Sequence, residues 1–404
     1  MNFNDLKYKA NYYAILLLAF VIPLERKLAP PLIILFLITS ILNKRADLLK
    51  NYKILFFTFL FFLYLLGITY TPNIEIAITN ITEKLSLLIF PLAIYLSNID
   101  FKNKLQAILF SFIDGCIVAG LLNIVSTSIE YYFKGDSSIF FYGNISTFLH
   151  ASYFAMYLCF GIIILYYYLL NSSPTLKIST LKSILTISFF SIFVFLLASK
   201  TGLITLILIH FSAILFYIIQ NKAYKKGILA FFALLGGIFL IYKSSSIVNN
   251  RINELIYVVS SGDTSDKSTT GARVEIWKIA ANLIKVKPLI GYGTGNEKNI
   301  LTLEYEKKGF LDFAQKHLNT HNQFLQTTVA LGLIGGLTFL FILIIPAIMA
   351  IKNQHYLYLF FIVLIIFNFF TESMLERQSG VVFYSFFNSL LCATFVINNK
   401  LMKE

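Results

Sequence analysis

The run Gln323–Ile351, QFLQTTVALGLIGGLTFLFILIIPAIMAI, contains no charged side chain. It exceeds the ~20 apolar residues that a helix needs to cross the hydrocarbon core of a bilayer. Moving outward, comparable runs precede it near 11–25, 29–43, 53–70, 80–97, 104–128, 150–170, 182–199, 201–219 and 226–242. Two more follow, near 355–373 and 379–397. The expected fold is all-α, a polytopic transmembrane helix bundle of about 12 spans with one large periplasmic segment containing amphipathic helices. Composition agrees: of 404 residues, 57% are hydrophobic and 13% charged, where a soluble chain carries about 25% charged. The 41 Phe and 24 Tyr suit lipid-facing and interfacial positions. The first apolar stretch leads at once into further spans, so it reads as a signal anchor rather than a cleaved signal.

The formal net charge is +13. In a soluble protein that would point to nucleic acid. Here the charges lie in short loops between apolar runs, so no nucleic-acid partner is expected. Basic residues concentrate where an inside N-terminus places the cytoplasm (Lys7, Lys9, Lys44, Arg45, Lys102, Lys104, Lys177, Lys182, Lys222, Lys225, Lys226, Lys352). The short outer loops hold only Arg26, Lys27, Lys134, Lys200 and Arg377. The positive-inside rule therefore puts both termini inside and the long polar stretch after the ninth run outside. Three parts are expected: a membrane bundle over 1–242, a large outer segment over 243–322 and a second membrane bundle over 323–404. Cys116, Cys159 and Cys392 all fall in apolar runs and form neither a metal spacing nor a disulfide framework.

Chemistry is expected in the outer segment. A polar stretch, Ser260–Thr270, precedes a helix expected to start near Ala272 with Thr269 or Thr270 as its cap. Arg273, Ile276, Ala280, Leu283 and Ile284 recur at helical spacing. Arg273 then lies one turn before Trp277, the sole tryptophan. It is either a snorkelling interfacial arginine or a ligand-binding cation. Pro288 ends the helix and opens PLIGYGTGN (Pro288–Asn296), whose glycines permit a tight turn. That turn is either purely structural or a presenter of N–H groups to a phosphate. It lacks the preceding strand of a dinucleotide fingerprint. His317, Asn319, Thr320, His321, Asn322 and Gln323 follow as a dense polar cluster. His321, at the mouth of a span, is placed either as a general base or simply as a helix-opening residue. His317 and His321 are four apart and could share a helix face, but Leu318 stands where a zincin motif has glutamate. Elsewhere, Ser199–Gly202 (SKTG) forms an outward hairpin carrying Lys200. Glu372–Gly380 (ESMLERQSG) carries Glu372, Glu376, Arg377 and Gln378, either as a further outer site or simply as an internal salt bridge. Asp114 lies inside a span, where carboxylates usually face the bundle interior.

The segment His321–Gly332 (HNQFLQTTVALG) resembles the His-x-x-x-Leu-x6-Gly pattern of the O-antigen ligase and O-antigen polymerase superfamily. The order SKTG, Arg273-x-x-x-Trp277, Pro288-x-x-Gly291-x-Gly293 and then His321 strengthens the likeness, which covers roughly Ala151–Gly380. The resemblance implies an inverting, metal-independent glycosyltransferase of the bacterial inner membrane that needs no cofactor. Its donor would be a glycan on polyprenyl (undecaprenyl) pyrophosphate, met at the periplasmic face. Its acceptor would be a hydroxyl of lipid A-core, or of another glycan repeat if the protein is a polymerase. It further implies His321 as the base or orienter of the acceptor, and Arg273 as a pyrophosphate ligand. Lys200 falls where the family has a second arginine, which keeps the charge but loses the bidentate fork. His317, Trp277, Glu376 and Arg377 are candidates for support. A lipid-linked glycan flippase would instead show ionisable residues at mid-membrane and repeated spans. A metalloenzyme would need a third ligand beside His317 and His321.

Overall fold

The computed structural model describes residues 3–45, 52–171, 179–226 and 269–396, with isolated positions between 228 and 253. Apart from those positions, the expected span near 226–242 and the first part of the outer segment, 243–268, lie outside the described residues. Among the described residues the secondary structure is helical, without strands. The helices are α1 (Phe3–Val21), α2 (Ala29–Leu42), α3 (Phe59–Gly67), α4 (Ile74–Lys84), α5 (Ser86–Leu96), α6 (Phe101–Lys134), α7 (Ala151–Leu170), α8 (Thr180–Leu197) and α9 (Lys200–Asn221). They continue with α10 (Thr269–Val286), α11 (Glu297–Lys307), the short α12 (Leu311–Gln315), α13 (Gln323–Lys352), α14 (Tyr356–Thr371) and α15 (Gln378–Val396).

Seven of these stretches are long and apolar enough to cross a membrane: Tyr52–Tyr70, Ile74–Leu96, Phe101–Lys134, Ala151–Leu170, Thr180–Leu197, Lys200–Asn221 and Gln323–Lys352. The protein is a multi-pass membrane protein. Burying such rows in lipid satisfies them without a soluble core, and a regular helix meets its backbone polar groups within itself. The stretch 74–96 is interrupted at Leu85, between α4 and α5.

Two compact units emerge. The first comprises Met1–Ile22, Arg26–Ser111 and Thr264–Glu404; the second, Pro23–Glu25 and Phe112–Asp263. In the second unit Phe154 packs edge-on to Phe193, with ring centres 5.3 Å apart. His210 on α9 is held at both ring nitrogens, by the Tyr166 hydroxyl at 2.7 Å and the Ser191 hydroxyl at 3.0 Å. The SKTG hairpin forms as expected: Ala198 takes a left-handed conformation (φ 44°), and the Ser199 hydroxyl caps α9 by accepting from the Gly202 N–H. Asp114 departs from expectation. Its neighbours Phe112, Ile113 and Cys116 turn inward and are buried, so the carboxylate is on the exposed face of α6.

In the first unit, α10 and the chain that follows it build an apolar core. Ile276, Ile279, Ala280 and Leu283 form one face of α10. They pack with Tyr292, Leu301, Tyr305 and Ala314, and with Val329 of α13. The helical spacing seen in the sequence is the spacing of this buried face. The helix begins at Thr269, so Thr269 and Thr270 form its first turn instead of capping a start near Ala272.

Candidate active site

α10 runs in the same direction as α13: Trp277 donates its indole N–H to the carbonyl of Thr320, just before α13, at 2.9 Å, while the chain beyond the C-terminus of α10 meets α13 further along, at Gly332. There α13 is broken. Gly332 has φ 65° and ψ −166°, a conformation open in practice only to glycine. The break frees four backbone groups for the PLIGYGTGN turn. Tyr292 and Gly293 donate their N–H groups to the carbonyls of Val329 (3.0 Å) and Ala330 (2.9 Å), while Leu333 donates to Pro288 (2.7 Å). Thr294 N–H donates to the Gly67 carbonyl at 3.2 Å. The amides of Tyr292, Gly293 and Thr294 are thus taken up by protein carbonyls, which favours the structural reading of the turn. Gly291 is required for the same reason, since a Cβ there would sit 2.5 Å from the Val329 carbonyl oxygen.

Above this junction, the segment between α12 and α13 is folded by its own polar side chains. His321 is left-handed (φ 46°), with its N–H accepted by Asn319 Oδ1 at 2.9 Å. Such a conformation costs a non-glycine residue on the order of 1–3 kcal/mol and is found where surrounding contacts over-determine it. Those contacts are present. Asn322 caps α13 through Leu325 N–H, Gln326 Oε1 accepts from Thr320 N–H, and Gln323 Oε1 accepts from Leu375 N–H at 2.7 Å. Ser373 Oγ accepts from Asn322 N–H and meets the Thr320 hydroxyl at 3.2 Å. The connection between α14 and α15 is thereby stitched to the segment bearing His321.

That connection brings Glu372 to the site. His321 Nδ1 lies 3.0 Å from Glu372 Oε1, and the Arg273 guanidinium lies 3.5 Å from Glu372 Oε2. All three side chains are partly buried. Against an ionised carboxylate, which only accepts, Nδ1 is the donor of this pair, and Nε2 is the nitrogen left for another partner. This is the arrangement of a positioned base: a carboxylate fixes the tautomer and would stabilise the imidazolium formed on proton uptake. Arg273 neutralises the carboxylate at longer range while retaining further N–H donors.

The other sequence candidates are distributed differently. His317 is left-handed (φ 46°) and exposed, its ring 3.3 Å from the Thr302 hydroxyl on α11. The two histidines therefore do not share a helix face: α12 ends at Gln315 and α13 begins at Gln323. Two left-handed residues and the Asn319 turn break the periodicity that the shared face assumed. Glu376 does not pair with Arg377. It turns inward to the Lys84 ammonium at 3.1 Å, both side chains buried, while Arg377 is exposed. Burying an ionised carboxylate is costly unless a cation compensates it, as Lys84 does here. Lys84 also lies over the Tyr64 ring at 4.8 Å. Nearby, Glu297 is buried with Asn80 Nδ2 3.5 Å from its Oε1. Burial first, and then the Glu376 charge, push its carboxyl up to about 7, against the opposing pull of Lys84. Lys200 opens α9 in the second unit.

From sequence, Glu372 is only one of the polar residues of its loop, with no role of its own. It is 51 positions from His321, on a different connection, and its carboxylate is one of several in a short polar loop.

The protein is therefore a multi-pass membrane protein with a histidine–carboxylate–arginine constellation where a polar segment meets a membrane-crossing helix. Residues 184–340 match the family described as O-Antigen ligase, which bears out the likeness drawn from the histidine motif. That stretch contains Lys200, Arg273, Trp277 and His321 and stops short of Glu372. An uncharacterized protein of Haemophilus influenzae is 29% identical over 146 residues, 33% of this chain and 36% of that one. A Rickettsia typhi protein provisionally named a polysaccharide ligase is 35% identical over 79 residues, 18% of this chain and 19% of that one. The chain thus matches about a third and a fifth of the lengths of these curated relatives.

Proposed function

We propose that the protein is an inverting, metal-independent glycosyltransferase. It moves a glycan from polyprenyl (undecaprenyl) pyrophosphate to a hydroxyl acceptor at the periplasmic face of the inner membrane, and the acceptor we favour is lipid A-core. The full bundle has about 12 spans, with both termini in the cytoplasm. The observation that carries the reading is the His321–Glu372–Arg273 arrangement, supported by the O-antigen ligase match over residues 184–340.

His321 Nε2 accepts the proton of the acceptor hydroxyl as its oxygen attacks the anomeric carbon. The bond from that carbon to the pyrophosphate oxygen breaks, and the pyrophosphate leaves with the electron pair. Attack opposite the leaving group inverts the centre. Glu372 holds the imidazole and stabilises its protonated form. Arg273, through the N–H groups not spent on Glu372, binds the pyrophosphate as its charge develops. The donor's lipid remains in the membrane while its glycan is transferred.

His321→Ala tests this. Glycan transfer in purified membranes should fall at least about a hundredfold, the range of a lost general base, while insertion and thermal unfolding stay as in the wild type. Undiminished transfer would refute the role of His321. A deletion strain with its surface glycan resolved on a gel identifies the acceptor. Bare core with polymer left on the lipid carrier marks a ligase, and core bearing one repeat unit marks a polymerase.

A further inference from the structure

α13 changes character at Gly332. From His321 to Gly332 no residue is exposed; from Leu333 onward Leu333, Ile334, Leu337, Leu340, Phe341, Ile344, Ile345, Ile348 and Ile351 form an exposed apolar face. The stretch from Leu333 to Ile351 rises about 28 Å at 1.5 Å per residue, close to the ~30 Å hydrocarbon thickness. The exposed apolar row therefore begins at Leu333, and the three turns before it are sheathed by protein. At that level the outer segment presents an apolar knuckle. Val286, Leu289 and Ile290 are 72%, 66% and 51% exposed. Their backbone adjoins the first lipid-facing residues of α13, since Leu333 N–H donates to Pro288 and Ile334 N–H donates to Leu289. Lys285 and Lys287, on either side of Val286, are exposed, with the Lys287 ammonium 5.0 Å from the centre of the Tyr292 ring. The Tyr70 hydroxyl, at the end of the Tyr52–Tyr70 span, donates to the Ile290 carbonyl at 2.8 Å.

We propose that the knuckle Val286–Ile290 is inserted in the outer leaflet of the bilayer, its apolar side chains continuing the lipid-facing row of α13 and its lysines reaching back to lipid phosphates. Three large apolar side chains facing water beside a lipid-facing row would leave apolar surface unburied where lipid is at hand. Lysines snorkel and a tyrosine sits at the headgroup level. The insertion seats the C-terminal end of α10 on the membrane, while the Gly332 junction fixes α10 to α13. α10 thereby carries Arg273 at a set height above the lipid.

The test is spin-label accessibility of the full chain in phospholipid nanodiscs. The three native cysteines are buried, so Leu289→Cys and Val286→Cys can be labelled singly, with Leu333→Cys as the lipid reference and Lys316→Cys as the aqueous one. The expected result is that both knuckle labels collide with oxygen in preference to a water-soluble nickel complex, as Leu333→Cys does. Nickel accessibility matching Lys316→Cys would overturn the proposal. So would shielding from both reagents, which would mean that protein covers the knuckle.

Discussion

Replacing Gly332 with alanine should open the junction between the outer segment and α13. The backbone there has φ 65° and ψ −166°, and holding an alanine in such a conformation costs on the order of 1–3 kcal/mol. Its Cβ would also stand 2.2 Å from the Leu289 carbonyl oxygen and 2.3 Å from its carbon. Both are main-chain atoms that no rotamer change can move. The turn must withdraw, and the bonds Leu333→Pro288, Tyr292→Val329 and Gly293→Ala330 go with it, each worth about 1 kcal/mol. The sum is about 4–6 kcal/mol of local stability, or roughly a thousandfold or more in opening equilibrium at 1.4 kcal/mol per factor of ten. Hydrogen exchange read by mass spectrometry over peptides spanning 288–296 and 329–336 measures this directly. Exchange should accelerate by that factor in Gly332→Ala. In Gly143→Ala, whose Cβ would meet nothing within 4 Å, it should not change. Protection at Tyr292 and Gly293 within a few-fold of wild type would refute the reasoning that the break exists to receive the turn. Transfer should fall with the same variant, since the junction holds α10 and Arg273 in place.

Glu372→Gln keeps the shape of the side chain but removes the charge shared by His321 and Arg273. Transfer should drop roughly a hundredfold or more with thermal unfolding little changed, and activity within threefold of wild type would remove Glu372 from the mechanism. Glu297 carries a pH signature. Its folded-state pKa is raised from 4.5 to about 7, so the unfolded chain loses the proton first. The stabilising contribution is intact below pH 4.5 and is lost as pH rises toward 7, by roughly 3 kcal/mol at 1.4 kcal/mol per unit. Glu297→Gln, neutral throughout, should lack this slope and gain stability relative to wild type between pH 4.5 and 7; parallel denaturation curves for the two proteins would contradict it.

Hydropathy determined the helices, because a bilayer imposes a length and a composition that are local in sequence. The spans expected near 53–70, 150–170, 182–199, 201–219 and 323–351 all coincide with helices long and apolar enough to cross. Periodicity likewise determined the face of α10, since Ile276, Ala280 and Leu283 repeat at the helical interval and are buried. Arg273 and His321 were legible as candidates because a motif and a helix register mark them. Other features depend on residues far apart in the chain. Glu372 bridges Arg273 and His321 across separations of 99 and 51 residues, and Glu376 finds Lys84 across 292. The sequence left the turn at Gly291 open to a phosphate, whereas in the structure α13, broken at Gly332, takes up the Tyr292 and Gly293 amides. His317 and His321 looked like helical neighbours, but local side-chain bonds set both in left-handed turns. Sequence alone determines periodic, locally enforced structure. Which carboxylate meets which cation, and which backbone donors are already spent, only the tertiary structure decides, because those partners become neighbours only when the helices pack.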